Sequence, residues 1–211
     1  MTERAAVLTG DIVGSRKAGR EAVEASFDTL ARSLSRMAPW CGGPARLTRF
    51  RGDGWQALVP EGARALRAAL VLRADLRAED RPAMRVAIGL GGATRTGSRD
   101  LSDADGPAFH AAGDALDAMG RGTRLVLAAR GAPALAPALV TLCDAVSRGW
   151  SRAQAEAAAL ALVPAPPTQA EIAARFGISQ QAVAARLDGA GAEALEAALE
   201  AFEGAVPGSG T

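Results

Sequence analysis

The chain has 211 residues, 49% of them hydrophobic and 22% charged, and its 24 basic and 23 acidic side chains leave a formal charge of +1. That composition excludes a disordered chain and any global pull toward nucleic acid or a membrane surface, and it suffices for one large or two modest domains. Cys41 and Cys143 stand apart without C-x-x-C spacing and His110 is the single histidine, so no zinc site is expected. With no basic-then-apolar leader and no apolar run of membrane-span length, a soluble cytoplasmic protein with no membrane partner is expected.

Ala5 to Thr9 is a short apolar run of the kind that forms a buried strand, with Gly10-Asp11-Ile12-Val13-Gly14-Ser15 at its end. Val23, Phe27, Leu30, Ala31 and Leu34 recur at helical spacing from about Glu21 to Met37. A hairpin follows from Ala45 to Val59, in which Arg51-Gly52-Asp53-Gly54 is a tight turn between two antiparallel strands. Ala63 to Glu79 is a helix with Leu66, Ala69, Leu70 and Leu76 on one side and Arg64, Arg67, Arg73 and Arg77 largely on the other, and Met84 to Leu90 is a strand stopped by Gly91-Gly92. The order β, α, β, β, α, β predicts an α+β, ferredoxin-like domain whose first and third strands lie side by side in the centre of the sheet.

Thr94 to Asp105 is polar and turn-rich, a mobile surface loop; Phe109 to Met119 is helical and Arg124 to Ala128 a short strand. The first domain is placed at 1–131. Residues 132–204 form an all-α domain, with helices from Leu135 to Val146 and from Ser151 to Val163, and residues 205–211, in a glycine-rich end beginning near Gly204, a disordered tail. Within that domain Thr168-Gln169-Ala170-Glu171 is a capping box, Phe176-Gly177-Ile178-Ser179 a glycine turn, and Ser179-Gln180-Gln181 opens a second helix. Helix, glycine turn and helix is the helix-turn-helix pattern, with an ordinary helical hairpin as the bland alternative.

If the first strand and the hairpin are neighbours, Asp11 and Asp53 converge, and two carboxylates at adjoining strand ends suit a hard cation, Mg2+ or Mn2+, that takes its remaining ligands from nucleotide phosphates. Gly52 and Gly54 clear space for such a ligand, and Arg49 and Arg51, or Arg95 and Arg99, could clamp its phosphates. Asp beside Gly is also ordinary turn chemistry, and Arg49 and Arg51 could be solvated strand-edge charges. His110 could take part in proton transfer, although a lone histidine on a helix is more often structural. In the helical part Ser179, Gln180 and Gln181 stand where a recognition helix meets base edges, with Arg175 and Arg186 as phosphate contacts. From Ala145 to Glu203, however, four arginines face seven acids, which limits phosphate neutralisation and leaves a protein partner as an alternative to DNA.

Thr9-Gly10-Asp11-Ile12-Val13-Gly14-Ser15-Arg16-Lys17, Arg51-Gly52-Asp53-Gly54-Trp55-Gln56, and Thr168-Gln169-Ala170-Glu171-Ile172-Ala173 with Gly177-Ile178-Ser179-Gln180-Gln181-Ala182-Val183 together resemble the SatD family across nearly the whole chain. The first part is in turn similar to class III nucleotidyl cyclases. That resemblance implies that Asp11 and Asp53 are metal-binding aspartates, that Arg49 occupies a purine-selecting position, and that the protein is a homodimer. His110 and Asp114 stand where such cyclases have an asparagine and a transition-state arginine, and an acid there opposes a developing phosphoryl charge. The expected function is a two-domain transcription regulator that couples nucleotide and Mg2+ binding to a DNA-binding helix-turn-helix. The alternatives are an active nucleotidyl cyclase or transferase variant and a degenerate dimerisation scaffold.

Overall fold

Residues 5–50, 52–93, 100–128, 130 and 132–206 are described by the computed structural model, and within them five strands form one mixed sheet in an α+β protein. Strand β1 (Ala6–Ile12) is followed by a single-turn helix α1 (Ser15–Ala18) and by α2 (Arg20–Met37). The hairpin β2 (Arg46–Arg49) and β3 (Gly54–Val59), helix α3 (Ala65–Ala78), strand β4 (Met84–Leu90), α4 (Pro107–Asp117) and β5 (Leu125–Leu127) come next. Helices α5 (Ala136–Ser147), α6 (Arg152–Ala161), α7 (Gln169–Phe176), α8 (Gln180–Gly189) and α9 (Ala192–Ala205) complete the order.

The strands lie in the order β2-β3-β1-β4-β5, so β1 is central and pairs antiparallel with both β3 and β4, while β5 joins β4 in parallel. Strand β1 runs three residues beyond the apolar run read from the sequence, and this carries Gly10 and Asp11 into the ladder. The two Gly-Asp pairs therefore differ: Gly52 sits in a turn at φ +73°, whereas Gly10 is a strand residue facing Trp55 across β1–β3. A methyl group on Gly10 would come 2.7 Å from the Trp55 ring and closer still to the Arg85 carbonyl, so the close approach of three strands requires glycine there.

Alternation along β1 divides the core, because successive side chains leave opposite faces of a sheet. Ala6, Leu8 and Ile12 join the main cluster with α2 and α3, while Ala5 and Val7 pack in a smaller one with Ala108, Phe109 and Ala112 of α4. The main cluster continues past residue 131 into Val140, Ala155, Leu162, Leu195, Leu199 and Phe202.

Helix α3 departs from the expected one-sided pattern. Arg67 is 1% exposed and Val71, Leu72 and Ala74 are buried, because the sheet covers one side of α3 and the C-terminal helices cover the other. Arg67 is satisfied by Glu196 (2.7 Å), Glu203 (2.6 Å) and the Leu162 carbonyl (3.0 Å). Arg73 donates to Ser147 and Asp144. Arg67 and Arg73 thus act as cross-links, while Arg77 remains nearly half exposed.

Two further expectations change. The tail begins later than 205: Ala205 belongs to α9 and Val206 packs into the core, while 207–211 lie outside the described residues. In the loop placed at 94–105, residues 94–99 lie outside the described residues, and Leu101 is buried with its N–H donating to Thr48 Oγ1 at 2.7 Å, so that part is anchored.

Candidate functional site

The β1–β3 register sets Asp11 opposite Gly54, the residue after Asp53, so both aspartates reach the same end of the sheet. Each carboxylate already has a partner. Both oxygens of Asp11 accept from Arg85 on β4, Oδ1 from Nε at 3.0 Å and Oδ2 from Nη2. The hydrogen bonds from Arg85 to Asp11, and then the nearby charges of Asp11, Asp53 and Asp117, hold the Arg85 guanidinium above its ordinary range despite partial burial. One fixed cation therefore lies within the field of both aspartates.

Asp53 accepts from the Ser15 hydroxyl and helps line an open hollow of about 490 Å3 with Ser15, Arg16, Arg20, Val23, Arg49 and Gly52. The walls come from the single turn α1, the start of α2 and the tip of the hairpin. Gly14 at φ +67° and Gly19 at φ +86° bracket α1 and let the chain fold back sharply on either side of it. Arg49 is held in place: Nη1 donates to both oxygens of Glu24 at 2.8 Å, Nε donates to the Gly52 carbonyl at 3.0 Å, and the guanidinium stacks 4.3 Å from the Phe27 ring centroid. The hydrogen bond from Arg49 lowers the Glu24 carboxyl below its ordinary range, with the charges of Arg49 and Arg20 acting in the same direction against desolvation. A cluster of one carboxylate, one hydroxyl and three guanidinium groups can receive a phosphate and a cation together.

The donors suit a hard ion in kind, being carboxylate oxygens, and two carboxylates suffice for Mg2+ when phosphates and water supply the rest. Among the described residues no group of three or more His, Cys, Asp or Glu side chains is set to hold a metal. Gly54 is the first residue of β3 and Gly52 lines the hollow, whereas Arg51, Arg95 and Arg99 lie outside the described residues. His110 is placed elsewhere. Its side chain is 73% exposed, lies 2.9 Å from Asp105, and shares a separate hollow with Asp114 and Arg130.

In the C-terminal part the capping box is formed in both directions: Glu171 N–H donates to Thr168 Oγ1 at 3.3 Å, and the Thr168 N–H donates to the Glu171 carboxylate at 2.7 Å. Gly177 closes α7 at φ +65°, and Ser179 Oγ accepts from Ala182 N–H at 3.1 Å to start α8. Ile172, Ala173 and Val183 make a small core with Leu160 of α6 and with Phe176, Ile178 and Leu187. Ser179, Gln180 and Gln181 are exposed at the start of α8. Of the two proposed phosphate contacts, Arg175 is exposed beside Asp75 and Glu79, and Arg186 is tied to Glu156 at 3.3 Å and lies over Phe176.

Arg85, Ser15 and Glu24 were not picked out from the sequence. Only Arg85 left a signal, as the single charge in the alternating stretch Met84 to Leu90; its pairing with Asp11 depends on β1–β4 register, and the Ser15 and Glu24 contacts depend on how α1 and α2 meet the hairpin. Compared with known proteins, the chain matches no family model and no curated protein.

Proposed function

We propose that the protein is a SatD-like regulator in which a ferredoxin-like, cyclase-like unit binds a nucleoside triphosphate and a helix-turn-helix unit contacts DNA. The observation that carries this reading is the hollow at the hairpin tip, where Arg16, Arg20 and Arg49 surround Asp53. Arg16 and Arg20 supply forked donors for phosphate oxygens and Ser15 adds a hydroxyl beside them, while Arg49, already held by Glu24, leaves only Nη2 for a ligand. Asp53 and Asp11 would hold Mg2+ or Mn2+, which would supply charge neutralisation at the phosphates. Arg85 sets the threshold for that loading, since it already occupies both oxygens of Asp11.

For the second unit, support comes from α7 and α8, each with its start capped and meeting at a left-handed glycine, and from the exposed Gln180 and Gln181. Glutamine suits the adenine edge in a major groove. With Arg186 tied to Glu156, backbone neutralisation falls mainly to Arg175, so DNA binding is weak and strongly salt-dependent unless two chains act together. A homodimer belongs to this reading. Leu135, Leu142 and Val146 are exposed along α5 and its start, at 81%, 64% and 44%, and offer a second copy of the chain an apolar strip. Leu142→Glu should convert the dimer to monomer in sedimentation; an unchanged mass would remove α5 from the interface.

Calorimetric titration with ATP and GTP, with and without Mg2+, tests the first unit. Metal-dependent binding that is lost in Asp53→Ala is expected, and equal affinity in that variant would sink the reading. A gel shift at low salt tests the second, with Gln180→Ala and Gln181→Ala relaxing sequence preference while nonspecific binding persists.

A further inference from the structure

A further concave surface lies where α3, β4, the lead into β5 and the end of α5 meet. It encloses about 380 Å3, and among the described residues its charged lining is five arginines, Arg73, Arg77, Arg81, Arg124 and Arg148, without a carboxylate. Leu76, Met84 and Trp150 give it an apolar wall. Its size falls in the lower part of the range for small-molecule sites.

The nearby acids do not balance this charge. Asp144 is shared by Arg73 at 2.8 Å and Arg148 at 3.9 Å, Asp80 by Arg77 at 3.2 Å and Arg152 at 2.9 Å, and Glu79 by Arg81 at 3.3 Å and Arg32 at 2.7 Å. Asp144, Asp80 and Glu79 are thus the acids paired with the lining arginines, and two of them are shared with arginines outside the cleft, Arg152 (which also has Glu156) and Arg32; among the described residues Arg124 Nη1 has only the carbonyls of Arg121 and Thr123. Arg81 Nε is buried without an acceptor. Burial, and then the charges of Arg148 and Arg124, push the Arg73 guanidinium below its ordinary range although Asp144 opposes them. Arginine also caps helix C-termini for ordinary reasons, and α3 and α5 both end at this cleft. Each such end carries only about half a negative charge, however, too little to account for the surplus.

We propose that this cleft binds a small oligophosphate, with Arg81 and Arg124 as the ligands left over for it. The site is independent of the hairpin hollow and needs no metal, because arginine forks supply all the counter-charge. Leu76, Met84 and Trp150 are 1%, 3% and 4% exposed, so the cleft offers a ligand little apolar surface and the phosphate chain itself makes the contacts. A concave cleft of this size does not follow a duplex backbone.

The test is calorimetry of the full chain with inorganic triphosphate and with ATP, both in excess EDTA at low salt. Binding of both, weakened at least about tenfold by Arg124→Ala and by Arg81→Ala and retained in Arg16→Ala, is expected. Among the described residues the Arg124 side chain bonds only to neighbouring carbonyls, so its variant reads the site even if Arg81→Ala disturbs the fold. No binding in EDTA would overturn the proposal and leave the metal-dependent hairpin reading standing, whereas binding lost in Arg16→Ala and kept in Arg124→Ala would overturn it and assign the phosphate to the hairpin hollow without a metal. Tighter binding of a DNA duplex than of either phosphate, lost in Arg124→Ala, would overturn it in favour of a nucleic-acid backbone contact.

Discussion

Gly10 is held by the two strands on either side of it. Trp55 fills the space on one side and the Arg85 carbonyl lies on the other, so Gly10→Ala should overpack the middle of the sheet and cost about 1–3 kcal/mol in urea unfolding. Read as sequence, Gly10 stood with Asp11 just past the end of the first strand; only the β1–β3 register reveals that it is a packing residue within the strand while Gly52 is the turn residue. The carboxylates around α2 and α3 separate in a similar way. Burial alone would raise Glu79, but hydrogen bonds from Arg32 and Thr29 hold it below the ordinary range, so its stabilisation is present above the unfolded value and lost as pH falls through the folded one. Asp75 is the reverse. Burial raises it despite the bonds from Ser33 and Arg36, so the folded protein favours its acid form, and that advantage disappears as pH rises. Urea unfolding across acid pH should therefore show Glu79→Gln losing most, relative to the parent, above about pH 4.5, and Asp75→Asn gaining relative to the parent as pH rises past about 4.

Helices α6 and α7 both open on a capping box, Ser151 with Gln154 and Thr168 with Glu171. Thr168→Ala removes the acceptor for Glu171 N–H and should cost about 1 kcal/mol, with faster amide exchange confined to α7 and its small core; exchange spread through α3 would show that the cap acts beyond its own helix. The Ser151 capping box was written in the sequence as clearly as the Thr168 one, since Ser-x-x-Gln follows the same rule. Most elements were legible to within a few residues because their signals are local: the period of α2, the glycine between α7 and α8, the hairpin turn. Helix α3 was legible as a helix with an apolar and an arginine side, but not as one covered on both. Its arginines recur where solvent-facing residues belong, and nothing local announces that Glu196 and Glu203, more than a hundred residues later, fold back to meet Arg67.

At the scale of the whole molecule, α3 lies between the sheet and the C-terminal helices, and its buried Arg67 holds α9 through two carboxylates. Arg67→Ala takes the partner from Glu196, which is part exposed, and leaves Glu203 with Arg64 alone, so a loss of about 1–3 kcal/mol is expected in equilibrium unfolding. A drop below about 1 kcal/mol would mean that apolar packing alone joins α9 to α3. The aspartate pair was legible as a convergence because it follows from strand order, while the arginine cleft was not, since its members come from α3, β4, the lead into β5 and α5 and share no motif. A helix clad on two sides also leaves no clean line along which the two halves could be exchanged between proteins. Grafting the helical half onto another sheet would have to carry α3 with it, and Arg73 and Arg77, two walls of the cleft, would make the journey as well.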